Sequence, residues 1–212
     1  MTGFVLASAS PARLATLRGA GVRPRVVVSG VDESTVQETD PAVLVCRLAE
    51  LKAQAVVDRL RSDPVAGDGA RWVLGCDSML SLDREVLGRP ADAADAVRRW
   101  RRMRGRTGVL HTGHCLVDLE GGRQATRPVA TTVEFADLSD EEIDAYVATG
   151  EPLQVAGAFT VDGLGGAFVR AIEGDHHNVV GVSLPALREM VADLGGRWTD
   201  LWASDPGVSG PG

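Results

Sequence analysis

Lysine is almost missing from this chain. Lys52 is the only one, and every other basic residue is arginine, the bias expected of a GC-rich coding sequence. A lone lysine is either incidental or marks a place where a compact, strongly hydrated charge is needed and a planar fork will not serve. Aromatic residues make up 4% of the chain, so a core must be built from Val, Leu and Ala. The three cysteines, Cys46, Cys76 and Cys115, are odd in number and lack CxxC spacing, which argues against a disulfide framework and a structural zinc site. No apolar run approaches the roughly 20 residues that span a bilayer, and the N-terminus lacks the pattern of a secretory signal. A cytoplasmic protein without a membrane partner is expected. Positive charge is also in deficit. The net charge of −7 weighs against a nucleic-acid binder, which needs a basic field, but leaves room for a local pocket for a small anion.

What is present begins with FVLASASPARLATLRGAGV, residues 4–22. A short apolar strand runs into a small-residue loop, and Ser10 followed by Pro11 is the favoured order for a helix start. Arg13 falls in the first turn, where a cation opposes the helix dipole. Free N–H groups, the hydroxyls of Ser8 and Ser10 and an arginine suit an anion, with phosphate the leading candidate. An ordinary strand-to-helix connection with a solvated arginine is the equal alternative on this segment alone.

Further along, Arg25–Ser29 reads as a second strand. Asp40 and Pro41 start a long helix to about Arg61, with Leu44, Leu48, Leu51, Ala55 and Val56 on one face. SDPVAGDGA reads as a loop. WVLGCDSMLSL reads as a buried strand with a break at Gly75, followed by a hairpin return through DREVLGRP. A helix over Asp92–Met103 carries the basic run RRWRRMRGR (98–106), read as a solvated face, with an oligomer contact or an anion patch as alternatives. Two long strands over 109–119 and 125–135 flank the turn at Glu120–Gly122. Ser139 and Glu142 make a capping box for a helix through Ala148. A glycine-rich loop and strand follow, and Pro185 starts a last helix to about Leu194. These patterns predict one mixed α/β domain over 1–203, with a long curved sheet flanked by helices, and a disordered tail over 204–212.

Candidate chemistry lies in acidic residues at strand ends. Asp77 follows an apolar strand, so its carboxylate is expected at the mouth of a sheet. Asp32 and Glu33 follow the second strand. Paired carboxylates beside a phosphate can hold Mg²⁺, or one can act as a base on water.

Taken in order, LASASPAR, VDES, LAELKA, GCDSML, LGRP, the H-x-G-H pair, TTVEF, EEIDAYVATGEP and AGAFTVDGLGGAFVRAIEG…NVVGVSLP are specific as a set. The sequence from Leu6 to about Leu194 resembles the Maf family of nucleoside triphosphate pyrophosphatases, of actinobacterial type. The resemblance implies the Maf or ITPase-like fold. It also implies hydrolysis of a nucleoside triphosphate between its α and β phosphates, with a divalent cation, Mg²⁺ or Mn²⁺, and removal of non-standard or excess nucleotides. By resemblance Asp77 is the proton acceptor, and Lys52 is a catalytic residue that neutralises and positions the triphosphate. Ser8, Ser10, Arg13, Ser78, Arg89 and Asp162 fall on the substrate, and Glu33 with Asp77 on the metal. A homodimer is implied in the same way.

The family pattern is not fully kept. Ala12, Ser78 and Asp162 stand where Arg, Thr and Gln mark the pyrimidine-preferring subgroup, Gln154 and Val155 replace an Asp–Lys pair, and Arg89 replaces a lysine. An ionised Asp162 only accepts hydrogen bonds, which predicts preference for a base edge offering amino or imino hydrogens. The altered pair keeps open a second reading, a nucleotide-binding regulator of cell division with little turnover. Elsewhere ordinary roles are expected. His111 and His114 pack within a strand, His176 and His177 occupy a loop, and Cys76 is a small buried apolar residue. The glycines at 163–166 allow close approach to a ligand.

Overall fold

In the computed structural model, which describes residues 3–83 and 85–202, the short first strand β1 (Gly3–Leu6) lies between two parallel neighbours. These are β2 (Arg25–Val26) and the first half of β3 (Ala70–Leu82). The remaining strands are antiparallel. They are β4 (Glu85–Leu87), β5 (Thr107–Asp118), β6 (Arg123–Phe135) and β7 (Val169–Glu173), and they complete one seven-stranded sheet in the order β2-β1-β3-β5-β6-β7, with β4 on β3. The helices are α1 (Pro11–Gly19), α2 (Pro41–Ser62), the single turn α3 (Pro64–Gly67), α4 (Ala93–Met103), α5 (Asp140–Ala148), α6 (His176–Val180) and α7 (Leu184–Asp193). The expected mixed α/β sheet flanked by helices is observed. The tail expected over 204–212 lies outside the described residues.

Strand pairing places a notch in this sheet. β5 pairs with β3 continuously from Trp72 to Ser81. On the other edge of β3, β1 pairs only with residues 70–74 and β4 only with residues 80–82. Among the described residues no strand therefore pairs with 75–79 on that side, and Asp77 is at their centre. Asp77 does not end its strand, as the sequence suggested. It lies mid-strand beside the point where the shorter β1 stops.

The seat of α2 also differs from expectation. The buried stripe is Val45, Leu48, Ala49, Lys52, Ala53, Val56, Val57 and Leu60, while Leu44, Leu51 and Ala55 are only half-buried. Two strand glycines select this stripe. A Cβ on Gly75 would enter the Ala49 carbonyl oxygen and stand 2.8 Å from Ala53 N, and one on Gly113 would stand 2.5 Å from Cys46 N. The helix backbone rests on the bare glycines, which a leucine-lined face could not do. Gly75 is thus a contact point within an unbroken strand.

Other differences are local. β2 ends at Val26, after which a single bond, Val27 N to the Leu6 carbonyl at 3.0 Å, continues the pairing. The loop 62–70 contains the helical turn α3. His176 and His177 open α6 rather than a loop, because Asp175 caps the His177 N–H at 2.9 Å and Asn178 is fully buried beneath. The capping box at Ser139 and Glu142 is formed as expected.

Alternate β3 residues face different cores. Trp72, Leu74 and Cys76 pack with Leu17, Leu187 and Met190, on the side of α1 and α7. Val73 packs with Ala49, Ala53 and Val56 of α2. The far half of the sheet covers a separate aromatic core. There Trp100 meets Phe135, Tyr146 and Phe168 edge-on with ring centroids 5.6–5.9 Å apart, and donates from Nε1 to the Ala158 carbonyl at 2.7 Å. Phe4 and Trp72 belong instead to the core on the side of α1 and α7.

The arginines of the basic run are paired internally: Arg98 and Arg99 with Asp95, Arg101 and Arg104 with Asp140, Arg102 with Glu85, and Arg106 with Asp83. The run ties α4 to α5 and to the β3–β4 hairpin, with each arginine meeting a carboxylate and Asp95 and Asp140 each serving two.

Candidate active site

Asp77 enters the notch from the α2 face of β3 and is 5% exposed. Lys52, on the buried stripe of α2, places Nζ 2.5 Å from Asp77 Oδ1 and 2.6 Å from Glu33 Oε1. Glu33 arrives from the short turn Glu33–Thr35, which Asp32 caps by accepting from the Ser34 N–H at 3.0 Å. Asp32 and Glu33 thus divide their work: the first shapes the turn and the second meets the lysine. The single lysine bridges two carboxylates that would otherwise repel. Breaking such a buried pair costs about 3–5 kcal/mol.

Burial raises the pKa of Asp77 above its ordinary 3.8, and the charges of Lys52 and Arg13 work against that rise. Among the described residues Asp77 Oδ2 is buried without a hydrogen-bond partner. A carboxylate with one oxygen held by an ammonium and the other unpartnered is a candidate base or hard-cation ligand.

On the opposite face of β3 lies Arg13, 9% exposed. Its Nε donates to the Gly181 carbonyl at 2.8 Å, one terminal nitrogen to Ser8 Oγ at 3.1 Å and to the Cys76 carbonyl at 3.0 Å, and the other to Ser78 Oγ at 2.9 Å. The Cys76 carbonyl belongs to the open edge of the notch, so Arg13 satisfies a backbone group left without a strand partner. Arg13 is therefore a buried clamp on its neighbours rather than a solvated arginine.

Hydrogen bookkeeping separates the two loop serines. Ser10 Oγ accepts from Arg13 N at 3.3 Å as the N-cap of α1, with Pro11 opening the helix. Ser8 Oγ accepts from Ser10 N at 3.2 Å and from Arg13. Both oxygens are acceptors here, and each hydroxyl proton remains uncommitted among the described residues. The loop thus presents two O–H donors at a helix start.

Two candidates stand apart. Arg89 is exposed in the turn after β4, and its neighbour Gly88 lies against Met79 Sδ, two residues beyond Asp77 on the same strand face. Asp162 is exposed on the loop after Phe159 and makes no side-chain hydrogen bond or ion pair with Asp77, Lys52 or Arg13. The glycines near Asp162 approach an internal group, since Leu164 N and Gly165 N each donate at 3.0 Å to the Glu151 carboxylate. Tyr146 and Thr160 donate to it as well, at 3.0 and 2.5 Å. Glu151 organises this loop without a local sequence signal, because its partners lie 5–14 residues away, Tyr146 on α5 and the others in irregular chain.

His114 is fully buried. Its Nε2 accepts from Ser183 N at 2.9 Å and Nδ1 lies 3.3 Å from the Arg127 carbonyl, which only accepts, so the neutral ring carries its proton on Nδ1. Burial pushes its pKa down to about 4. His111 is half-buried, and its Nδ1 has no partner among the described residues. Cys76 is fully buried, and burial pushes its thiol up to about 12, the behaviour of an inert core residue. Among the described residues no three His, Cys, Asp or Glu side chains form a ready metal cluster. No helix among them is long and apolar enough to cross a membrane.

Fold and site together define a mixed α/β protein with a charged notch in its sheet. The chain belongs to the family described as Maf-like protein, whose model matches residues 3–194. It is 59% identical over 200 residues to the nucleoside triphosphate pyrophosphatase of Salinispora tropica, covering 94% of this chain and 87% of that one. It is 53% identical over 200 residues to the protein of the same name from Streptomyces coelicolor, covering 94% of both. With the Cutibacterium acnes protein of that name it shares 50% identity over 208 residues, 97% of each.

Proposed function

We propose that the chain is a nucleoside triphosphate pyrophosphatase acting through the Asp77 notch. The reading rests chiefly on one observation: Lys52 holds Asp77 and Glu33 together, with Asp77 Oδ2 unspent, in the gap where β1 stops. Family membership and the names of the relatives point the same way.

In the proposed reaction Asp77 takes a proton from a water that attacks the α phosphorus. The α–β bridging P–O bond breaks, its electron pair leaves with pyrophosphate, and the nucleoside monophosphate remains. Lys52 fixes Asp77 through Oδ1 and favours its ionised form, as a base requires. The Ser8 and Ser10 hydroxyls and the first turn of α1 receive phosphate oxygens, with the charge of Arg13 behind them. Arg89 reaches the phosphates from the β4 turn. Ser78 serves the substrate set through its bond with Arg13, and Asp162 completes the set by accepting from the base.

Asp77, Glu33, Lys52 and Arg13 cancel formally, so the cluster alone cannot offset a polyphosphate. Two carboxylates converging within 2.6 Å of one ammonium, with an unpartnered Oδ2, fit the sparse hard-oxygen set of Mg²⁺ or Mn²⁺. Glu33 and Asp77 would hold that cation, whose contribution is neutralisation and orientation of phosphate oxygens. Removal of non-standard or excess nucleotides in the cytoplasm by a homodimer, without nucleic-acid partners, completes the reading. The net charge of −7 and the internally paired arginines support the last point.

The test is a panel of common and modified nucleoside triphosphates with Mg²⁺ or Mn²⁺, measuring pyrophosphate and monophosphate together. Equal release of both is expected, lost on chelation and lowered about 10²–10⁴-fold in Asp77→Asn. Nucleotide binding with no release from any substrate would overturn the enzyme and favour the regulator.

A further inference from the structure

Arg13 is gripped by more than its immediate neighbours, and the hydroxyl protons fix the direction of the grip. Thr112 Oγ1 on β5 lies 3.1 Å from the Asn178 carbonyl oxygen. A carbonyl only accepts, so the single Thr112 proton is spent there. Ser78 Oγ lies 2.9 Å from Thr112 Oγ1, and with Thr112 already donating elsewhere, Ser78 must donate to it. Ser78 is left as an acceptor, and Arg13 donates to it at 2.9 Å. The result is a one-way chain from Arg13 through Ser78 and Thr112 to the backbone of α6.

Its far end is anchored. Asn178 and Thr112 are fully buried. The two amide hydrogens of Asn178 are shared among three acceptors, Thr131 Oγ1 at 3.0 Å and the Leu110 and Val129 carbonyls at 3.3 Å, tying α6 to β5 and β6. Three residues on, the Gly181 carbonyl takes Arg13 Nε directly at 2.8 Å. The same short segment therefore holds the guanidinium twice, once directly and once through two hydroxyls. Among the described residues the Asn178 side-chain oxygen is the one buried atom of this network left without a partner.

We propose that Thr112 and Asn178 are positioning residues that aim Arg13 through Ser78, an inference resting on the reading of Arg13 as a phosphate-binding group. Ser78 then acts as a relay, and its hydroxyl has no proton to offer substrate. The protons left on Ser8 and Ser10 are the ones available for phosphate oxygens.

The test compares wild type, Thr112→Val, Thr112→Ser, Ser78→Ala and the Thr112→Val/Ser78→Ala double variant. Each is measured for kcat and KM in pyrophosphate release, calorimetric binding of an α,β-methylene nucleoside triphosphate, and thermal midpoint. Thr112→Val is expected to lose about tenfold in analogue affinity and in kcat/KM, with Thr112→Ser restoring both. Because the effect passes through Ser78, the double variant should be no worse than Ser78→Ala alone. Wild-type binding and turnover in a folded Thr112→Val, or losses that multiply in the double variant, would overturn the relay. If Thr112→Val does not fold, Ser78→Ala decides, since wild-type affinity there removes the only link. Wild-type protein that binds the analogue but releases no pyrophosphate would overturn the enzymatic reading, while the binding comparison would still decide the relay.

Discussion

At Asp77 burial and charge oppose each other, and burial is the larger influence. A carboxylate whose folded pKa is raised is less easily ionised than in the unfolded chain, so the folded state gains relative stability as pH falls and this group takes up a proton. A base must be ionised, and the acid limb of kcat/KM should therefore lie above the ordinary aspartate value of 3.8. Lys52→Met removes an influence that lowers this pKa. It should move the limb to higher pH, beside any loss of rate, and a pH–rate profile of the two proteins checks it. A limb that stays in place would mean that Asp77 does not set it. The solitary lysine and the Ser10–Pro11–Arg13 helix start could be read as special from the sequence. Their partners could not, because Lys52, Asp77 and Glu33 are 19–44 positions apart, and only the stacking of α2 on β3 joins them.

Elements meet here through missing side chains. Gly75 and Gly113 let α2 lie directly on the sheet, and that close seat is what delivers Lys52 Nζ to Asp77. Gly75→Ala should force the helix outward, cost about 1–3 kcal/mol and lower pyrophosphate release by separating the pair. Urea denaturation and the release assay read both effects, and a variant unchanged in each would refute the glycine seat. In the sequence Gly75 looked like a strand break, since a glycine in an apolar run signals either a break or a close approach. The choice depends on what packs above it. The same limit explains the misplaced face of α2, where Leu44 and Leu51 looked more core-like than Ala49 and Ala53. Bulk predicts burial in general, but here the space favours small residues.

For the molecule as a whole, His114 links the sheet to the start of α7 and to overall stability. Its folded pKa of about 4 lies below the ordinary 6.5. The stability it brings is therefore complete above pH 6.5 and is lost as pH falls toward 4, because the unfolded chain takes up the proton first. Protonation would also end its acceptance from Ser183 N. The loss across that window should be about 3 kcal/mol. His114→Gln, which keeps an acceptor without titrating, should lose less stability over the same range by that amount. Urea titrations between pH 7 and pH 4.5 measure the difference, and equal slopes would exclude His114 as the source. The strand and helix order, the capped helix starts, the antiparallel middle and the α/β class followed from local chemistry, in which spacing, caps and turn residues act over a few positions. The notch, the double grip on Arg13 and the matching of the 98–106 arginines were decided by tertiary structure alone. Each depends on which strand stops short of its neighbour and which distant groups then share the space left, a relation that no local pattern carries.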